Sequence, residues 1–279
     1  MNIINGDCLE VLKTLPDKSV DLFICDLPYG CLTNQPKADG TEGKSKGGKM
    51  YSAETGCSWD IKLDLNAFWI QVKRLCKNDH TPVLMFCNTK FGYDLIKSNE
   101  DWFRYDLVWN KEVGVGFLNA NKQPLRSHEM VYVFSKKSAN YKRIDIEVEG
   151  AKQYVDNRNQ INNGIYGSKQ QLPHSSKEGI RCVKSVIEVA NKKAKGQHPT
   201  AKPVELYKFL IERYSKKDDT VLDPTFGSGN SGRASAELER KYVGIEKDKT
   251  FFDKYKSSTD INVLNQVPER RQEVQSGVQ

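Results

Sequence analysis

Residues 221–232 read Val221-Leu222-Asp223-Pro224-Thr225-Phe226-Gly227-Ser228-Gly229-Asn230-Ser231-Gly232. The first residues predict a short strand, and the glycines predict a tight turn that leads into a helix. The spacing Gly-x-Gly-x-x-Gly is typical of turns whose backbone approaches a nucleoside cofactor closely. Glu246 follows nineteen residues after Gly227, at the end of the next predicted strand, where a carboxylate can accept hydrogen bonds from ribose hydroxyls. The pattern predicts a site for an adenosine-containing cofactor, with NAD among the candidates.

Outward from this turn, apolar runs alternate with amphipathic helices, which indicates a parallel α/β sheet. Thirty-three residues follow Glu246, too few to complete a doubly wound sheet. The remaining strands are therefore expected from the N-terminal half, which makes the fold a circular permutation. Strands are predicted at 2–5, 20–25, 82–87, 105–109, 129–134, 220–223 and 242–245, and helices at 9–15, 63–76, 91–97 and 203–214. Asp7 is placed to cap the first of these helices. The runs 105–109 and 129–134 are candidates for an antiparallel hairpin.

Composition argues against several classes of protein. Mean hydropathy is -0.65 and no apolar run reaches about 18 residues, so we expect no membrane span. The N-terminus lacks the features of a signal peptide, so we expect a cytoplasmic protein. The seven cysteines contain no Cys-x-x-Cys pair, which favours free thiols, and the four histidines have no ligand spacing, so no metal site is predicted.

Positive charge is concentrated between residues 136 and 202. This segment has fourteen Lys and Arg against six Asp and Glu, a local excess of +8, whereas the whole chain has +7. Such a concentration suits a partner that carries phosphates, although a solvated charged loop would give the same pattern. Residues 137–198 are also polar and show little periodicity, so we predict an insertion there. Residues 31–58 predict a long loop of the kind that often has a function.

A second motif, Asp26-Leu27-Pro28-Tyr29-Gly30, follows the apolar run 20–25. Ligands of open α/β sheets sit at the carboxyl ends of the strands, so this carboxylate is placed for chemistry. An exocyclic amine on a base is a poor nucleophile, because its lone pair is delocalised into the ring. A carboxylate and a backbone carbonyl that accept its two hydrogens would favour a nitrogen able to attack a methyl group, and the tyrosine ring could stack on a flipped base. An ordinary turn would fit the same residues.

Together the two motifs resemble the amino-methyltransferase family of DNA modification enzymes, which pairs an Asp-Pro-Pro-Tyr motif with a Phe-x-Gly-x-Gly motif. The catalytic motif precedes the cofactor motif here, as in the permuted beta group of that family. Shorter matches extend the resemblance over residues 2–255, at 5–7, 58–60, 107–111, 128–129, 198–203 and 242–246. Residues 137–198 match least.

The resemblance implies a circularly permuted Rossmann-like S-adenosylmethionine-dependent methyltransferase fold, with a seven-stranded, mostly parallel sheet. It implies a catalytic half at 1–136, a target-recognition insertion at 137–198, a cofactor-binding half at 199–256 and a polar tail at 257–279. S-adenosylmethionine is the implied cofactor, and double-stranded DNA with a flipped base is the implied partner. A homodimer is left open.

Residue roles follow by position in the motifs. The resemblance implies that Asp26, Pro28 and Tyr29 hold and activate the target amine. Asp7 would lie near the adenine of the cofactor, Glu246 at its ribose and Lys202 near its methionine portion. The residues implied at the cofactor are Asp7, Asp26, Lys202, Asp223, Phe226, Gly227, Gly229, Asn230 and Glu246. Leu27 stands where the family motif has a proline, and Asn230-Ser231 replace the usual Thr-Thr.

The implied activity is methylation of adenine N6 in a specific DNA sequence, with a role in restriction–modification as one setting. Asp rather than Ser at position 26 favours adenine over cytosine N4, which requires the same chemistry. A second alternative is a DNA-binding relative that Leu27 has impaired. An RNA or protein methyltransferase is disfavoured, because those enzymes usually have the opposite motif order or an Asn at the catalytic position.

Overall fold

The computed structural model describes residues 1–30, 60–156, 160–163, 167–170, 174–191 and 201–257. The chain divides into a larger unit, Met1–Asn140 with Val186–Gln279, and a smaller unit, Tyr141–Ser185. The predicted loop at 31–58 and nearly all of the predicted tail lie outside the described residues. Within the described part, no helix is long and apolar enough to cross a membrane.

The described residues form the following strands and helices. The strands are β1 (Asn2–Asn5), β2 (Leu22–Cys25), β3 (Val83–Cys87), β4 (Phe103–Val115), β5 (Arg126–Phe134), β6 (Ile146–Glu147), β7 (Tyr154–Asp156), β8 (Gln160–Asn163), β9 (Gly167–Gln170), β10 (His174–Ser176), β11 (Ile180–Arg181), β12 (Val186–Glu188), β13 (Thr220–Asp223) and β14 (Lys241–Glu246). The helices are α1 (Cys8–Thr14), α2 (Leu65–Leu75), α3 (Thr89–Ser98), α4 (Val204–Tyr214), α5 (Asn230–Glu237) and α6 (Lys249–Ser257).

The main sheet has the strand order β1-β14-β13-β2-β3-β5-β4-β12. β1 pairs in parallel with β14, and β13 pairs in parallel with both β14 and β2. The C-terminal strands β13 and β14 therefore lie between the N-terminal strands β1 and β2, which confirms the circular permutation. β5 is antiparallel to both β3 and β4, so the predicted hairpin is also confirmed.

The number of strands differs from the prediction. Among the described residues the sheet has eight strands rather than seven, because β12 joins its edge in parallel with β4. This strand has three residues, of which Ile187 is buried while Val186 is 48% exposed. One buried side chain makes too short a pattern to predict a strand from the sequence.

Both faces of the sheet are covered, which explains the unbroken apolar runs. All four residues of β2 are buried. Phe23 and Cys25 pack into a cluster with residues of α1, α2 and α3, whereas Leu22 and Ile24 pack into a second cluster with residues of α4, α5 and α6. The central strands are thereby held rigidly, with their carboxyl ends at one edge.

The smaller unit contains three antiparallel strand pairs. β6 pairs with β11, β7 with β10, and β8 with β9, so the pairings are nested along the chain. The polar sequence of this segment had predicted no strands, since its residues alternate too weakly between polar and apolar to indicate them.

Candidate active site

A pocket of about 640 Å³ lies where the loops after β2, β13 and β14 meet. Of the residues expected at the site, the pocket wall brings together Asp7, Asp26, Pro28, Tyr29, Lys202, Phe226, Gly227 and Glu246. Asp223, Gly229 and Asn230 are not part of the wall. The two motifs are therefore adjacent in space, although some 200 residues separate them in the sequence.

Asp26 is held from two sides. The hydroxyl of Tyr29 donates to Oδ1 of Asp26 at 2.9 Å, and Nζ of Lys202 donates to its Oδ2. The backbone carbonyl of Asp26 accepts from the hydroxyl of Thr225 at 3.0 Å, which joins the catalytic motif directly to the glycine turn. The carboxylate is thus fixed at the pocket wall with its side chain 23% exposed.

Lys202 belongs to a cluster of four charged side chains that reach the pocket wall. Its Nζ lies 3.6 Å from Oε2 of Glu129, whose Oε1 lies 2.7 Å from Nζ of Lys111. Burial alone would lower the pKa of Lys202, but the charges of Asp26 and Glu129 outweigh it and raise that pKa. Burial would raise the pKa of Glu129, and the two lysines lower it instead. Sequence reasoning gave no role to Glu129 or Lys111, although both stand in matched segments.

Glu246 is fixed at the opposite side of the pocket. Its Oε2 accepts from the backbone N–H of Gly227 at 3.0 Å, and its Oε1 accepts from that of Asp248 at 2.8 Å. Burial raises its pKa, and these hydrogen bonds offset only part of that effect. Each carboxylate oxygen keeps a free lone pair, so Glu246 can still accept hydrogen bonds from a bound ligand.

Asp7 has a structural task at the rim of the same pocket. Its Oδ1 accepts from the backbone N–H of Leu9 at 3.0 Å and so caps the N-terminus of α1, as the sequence predicted. Its Oδ2 pairs with Nζ of Lys247 at 3.0 Å. Burial tends to raise its pKa, but the contacts with Lys247 and Leu9 lower it overall.

The glycines of the turn have different tasks. Gly227 has φ +51°, and a Cβ added there would meet nothing closer than the carbonyl oxygen of Thr225 at 3.9 Å. Open space therefore adjoins its backbone on the pocket side, as a cofactor that lies against the turn requires. A Cβ on Gly229, which has φ +75°, would lie 1.8 Å from the ring of Tyr255. Gly229 lets α6 pack closely and does not touch the pocket.

Asp223 and Asn230 lie behind the pocket wall and form hydrogen bonds that hold residues of the wall or of the adjoining helix in place. Oδ2 of Asp223 accepts from the hydroxyl of Ser231 at 2.6 Å, and its Oδ1 accepts from the backbone N–H of Thr225 at 3.0 Å. Nδ2 of Asn230 donates to the backbone carbonyl of Lys202 at 2.7 Å. The pair Asn230-Ser231, which departs from the family motif, thus holds both the end of β13 and the backbone of Lys202.

Burial raises the pKa of Asp223 to about 7. The folded protein therefore holds this proton at pH values where the unfolded chain, with a pKa near 3.8, has lost it. Its contribution to stability is present in full below pH 4 and is lost as the pH rises to about 7. We expect Asp223→Asn to gain stability relative to the wild type across this window, by at most about 1.4 kcal/mol per pH unit.

Urea unfolding at pH 4.5, 6 and 8 measures this difference. The exposed Asp101, changed to Asn, is the matched control and should track the wild type at each pH. A difference between Asp223→Asn and the wild type that does not vary with pH would contradict the assignment.

Leu27 and Tyr29 show how the variant catalytic motif is accommodated. Leu27 is 2% exposed and packs in the hydrophobic core, so its side chain anchors the loop where the family has a proline ring. The ring of Tyr29 stacks on Phe91 at a centroid distance of 5.1 Å. Phe91 therefore covers one face of the Tyr29 ring.

The family model for N6/N4 methyltransferases, described as DNA methylase, matches residues 20–257. The chain is 27% identical over 267 residues to the Type II methyltransferase M.HinfI of Haemophilus influenzae, covering 90% of this chain and 66% of that protein, just under two thirds. It is 27% identical over 264 residues to the Type II methyltransferase M2.MboI of Moraxella bovis, covering 90% of this chain and 85% of that protein.

Two solved structures have the same fold. The complex of M1.HpyAVI with SAM has a TM-score of 0.54 and 22% identity, over 91% of this chain and 97% of that one. The PvuII DNA methyltransferase, cytosine-N4-specific, has a TM-score of 0.58 and 14% identity, over 94% of this chain and 89% of that one. At these identities the likeness shows the fold alone.

Proposed function

Because the chain belongs to the N6/N4 DNA methylase family, we propose that it transfers a methyl group from S-adenosylmethionine to adenine N6 in double-stranded DNA. The observation that supports this most directly is the shared pocket. It places Asp26, held by Tyr29 and Lys202, in the same wall as Gly227 and Glu246. A base amine and a nucleoside cofactor would meet there.

The residues of the pocket suit S-adenosylmethionine. Glu246 would accept hydrogen bonds from the ribose, and the open space beside Gly227 would admit the cofactor against the turn. Lys202 would lie near the methionine portion and Asp7 near the adenine. When bound, this cofactor supplies a methyl group on a sulfonium, which is strongly electrophilic.

The residues of the catalytic motif prepare the nucleophile. Asp26 and a backbone carbonyl of the motif accept the two amine hydrogens, which draws the lone pair out of the ring and towards the methyl group. Pro28 fixes one φ of the loop, and Tyr29 orients Asp26, while the ring face turned away from Phe91 would stack on the flipped base. The amine nitrogen would gain the methyl group as the bond between that methyl group and the sulfonium sulfur breaks, which would leave a neutral thioether. The extra proton on the nitrogen would then leave to solvent.

Adenine is the proposed target because Asp stands at position 26. Cytosine N4 is the alternative, since the same fold is found in a cytosine-N4-specific enzyme. The test is to incubate plasmid DNA with labelled S-adenosylmethionine, hydrolyse it and identify the methylated nucleoside by mass spectrometry. N6-methyladenine supports the proposal, N4-methylcytosine supports the alternative, and no methylation supports an impaired DNA-binding relative.

Two further elements of the proposal concern the partner. Residues 137–198 would recognise the DNA sequence, and residues 31–58 would order over the flipped base, although the latter lie outside the described residues. A homodimer and a restriction–modification setting remain part of the proposal, and the names of the two relatives, both Type II methyltransferases, favour the latter.

Binding to duplex DNA should weaken steeply with salt. Each lysine or arginine that contacts a phosphate releases counterions, so the slope of log affinity against log salt should be about -0.9 per contact. Changing Lys192, Lys193 and Lys195 together should flatten the slope if all three contact phosphates; these residues lie outside the described part of the chain. Fluorescence anisotropy at several salt concentrations measures it, and Lys13→Gln, on the exposed surface of α1, is a control.

A chimera tests sequence recognition separately. Residues 137–198 of a relative with a different target sequence, placed in this chain, should transfer that relative's specificity, because base readers and not phosphate contacts determine the sequence. Sequencing that detects methylated bases reads the outcome. An unchanged target sequence would exclude this segment as the recognition region.

A further inference from the structure

The charged cluster in the pocket wall consists of Asp26, Lys111, Glu129 and Lys202. Each comes from a different element: Asp26 follows β2, Lys111 lies in β4, Glu129 in β5, and Lys202 precedes α4. Lys111 and Lys202 are 6% and 4% exposed, yet all four side chains line the pocket. The proposed function uses Asp26 and Lys202 and leaves Lys111 and Glu129 without a task.

The cluster is neutral as a whole. Glu129 lies between the two lysines, at 2.7 Å from Lys111 and 3.6 Å from Lys202, and Lys202 also pairs with Asp26. Two positive and two negative charges therefore cancel. Without the charge of Glu129 the cluster would carry one net positive charge, since Asp26 alone cannot offset two lysines. A buried, uncompensated charge acts strongly on a ligand in the same pocket, because water screens it poorly.

We propose that Glu129 is a positioning residue that balances the charge of Lys111 and Lys202, so that the pocket wall accepts a positively charged methyl donor. This rests on the proposed function. S-adenosylmethionine carries a positive sulfonium, whereas its product, S-adenosylhomocysteine, has a neutral thioether and differs only by the methyl group. A change in the charge of the wall should therefore alter the affinity for S-adenosylmethionine and leave the affinity for S-adenosylhomocysteine nearly unchanged. Glu129 and Asp26 also share the ammonium group of Lys202.

The ratio of the two affinities is the readout, measured by calorimetry on the full chain without DNA. Glu129→Gln keeps the hydrogen-bonding shape and adds one net positive charge, so it should weaken S-adenosylmethionine relative to S-adenosylhomocysteine by about tenfold. Lys111→Met adds one net negative charge and should shift the ratio in the opposite direction. The double variant is neutral again, and its ratio should return to that of the wild type.

Lys136→Met is the matched control, because Lys136 forms an exposed ion pair with Asp79 outside the pocket. It should leave the ratio unchanged. If Glu129→Gln fails to fold, Lys111→Met tests the proposal alone, because it should shift the affinity ratio in favour of S-adenosylmethionine. A ratio that stays the same in every variant, or two affinities that fall together, would overturn the proposal and leave Glu129 a purely structural residue. If the wild type binds neither ligand, the proposed function itself fails, and this inference with it.

Discussion

Changing Asp26 to alanine should lower the rate of methylation by about 10²–10³-fold. It should weaken S-adenosylmethionine less, by about tenfold, because it adds one net positive charge to the charged cluster in the pocket wall. The reason for the loss of rate is that a preorganised hydrogen-bonding group stabilises the transition state by about 2.7–4 kcal/mol. Asp26 is such a group, since Tyr29 and Lys202 fix its two oxygens at the pocket wall. Single-turnover methylation of duplex DNA measures the rate, and calorimetry measures the affinity.

The fold should survive this change. Lys202 keeps Glu129 at 3.6 Å, so its buried charge is not left without a partner. Asp79→Ala, at an exposed ion pair, is the matched surface control. Methylation by Asp26→Ala at the wild-type rate would refute the assignment of Asp26. Equal losses of rate and cofactor affinity would instead mean that Asp26 serves chiefly to bind the cofactor.

The second large effect is expected at Glu246. Glu246→Ala should weaken S-adenosylmethionine by about 10–150-fold, because a hydrogen bond to a charged group contributes about 1.5–3 kcal/mol. The change also removes the acceptor for the backbone N–H groups of Gly227 and Asp248, so the glycine turn is no longer tied to the end of β14. Glu246→Gln keeps one acceptor oxygen and should lose less affinity.

Asp253→Ala provides the control for Glu246, since it lies on the exposed side of α6 and pairs with Lys249. Calorimetry gives the affinities of all three variants. An unchanged affinity in Glu246→Ala would show that the ribose lies elsewhere. Tight binding of NAD by the wild type would argue for the dehydrogenase interpretation of the glycine turn.

Local sequence patterns were sufficient to predict most strands of the sheet and to locate the two motifs. The runs of β2, β3 and β13 are apolar on both faces, and Asp7 caps α1 as its position predicts. What could not be predicted depends on contacts between distant residues. The pairing of Glu129 with Lys202 and the packing of Gly229 on Tyr255 arise only when separate elements meet. Hydrophobic periodicity carries no information about contacts between distant elements. The glycine spacing assigns every residue of the motif to the cofactor, and it cannot show that Gly229 packs on Tyr255 instead.

The order of strands in the sheet has a consequence for how the protein is made. β2 pairs with β13 through Val221 and Leu22, so two neighbours in the sheet are synthesised some 200 residues apart. A ribosome adds about 5–20 residues each second, so the apolar edge of β2 waits for about 10–40 s before β13 emerges. Exposed edges of this kind pair readily with other chains. During that time α1 and α2 can cover one face of β2, but the edge that pairs with β13 stays open.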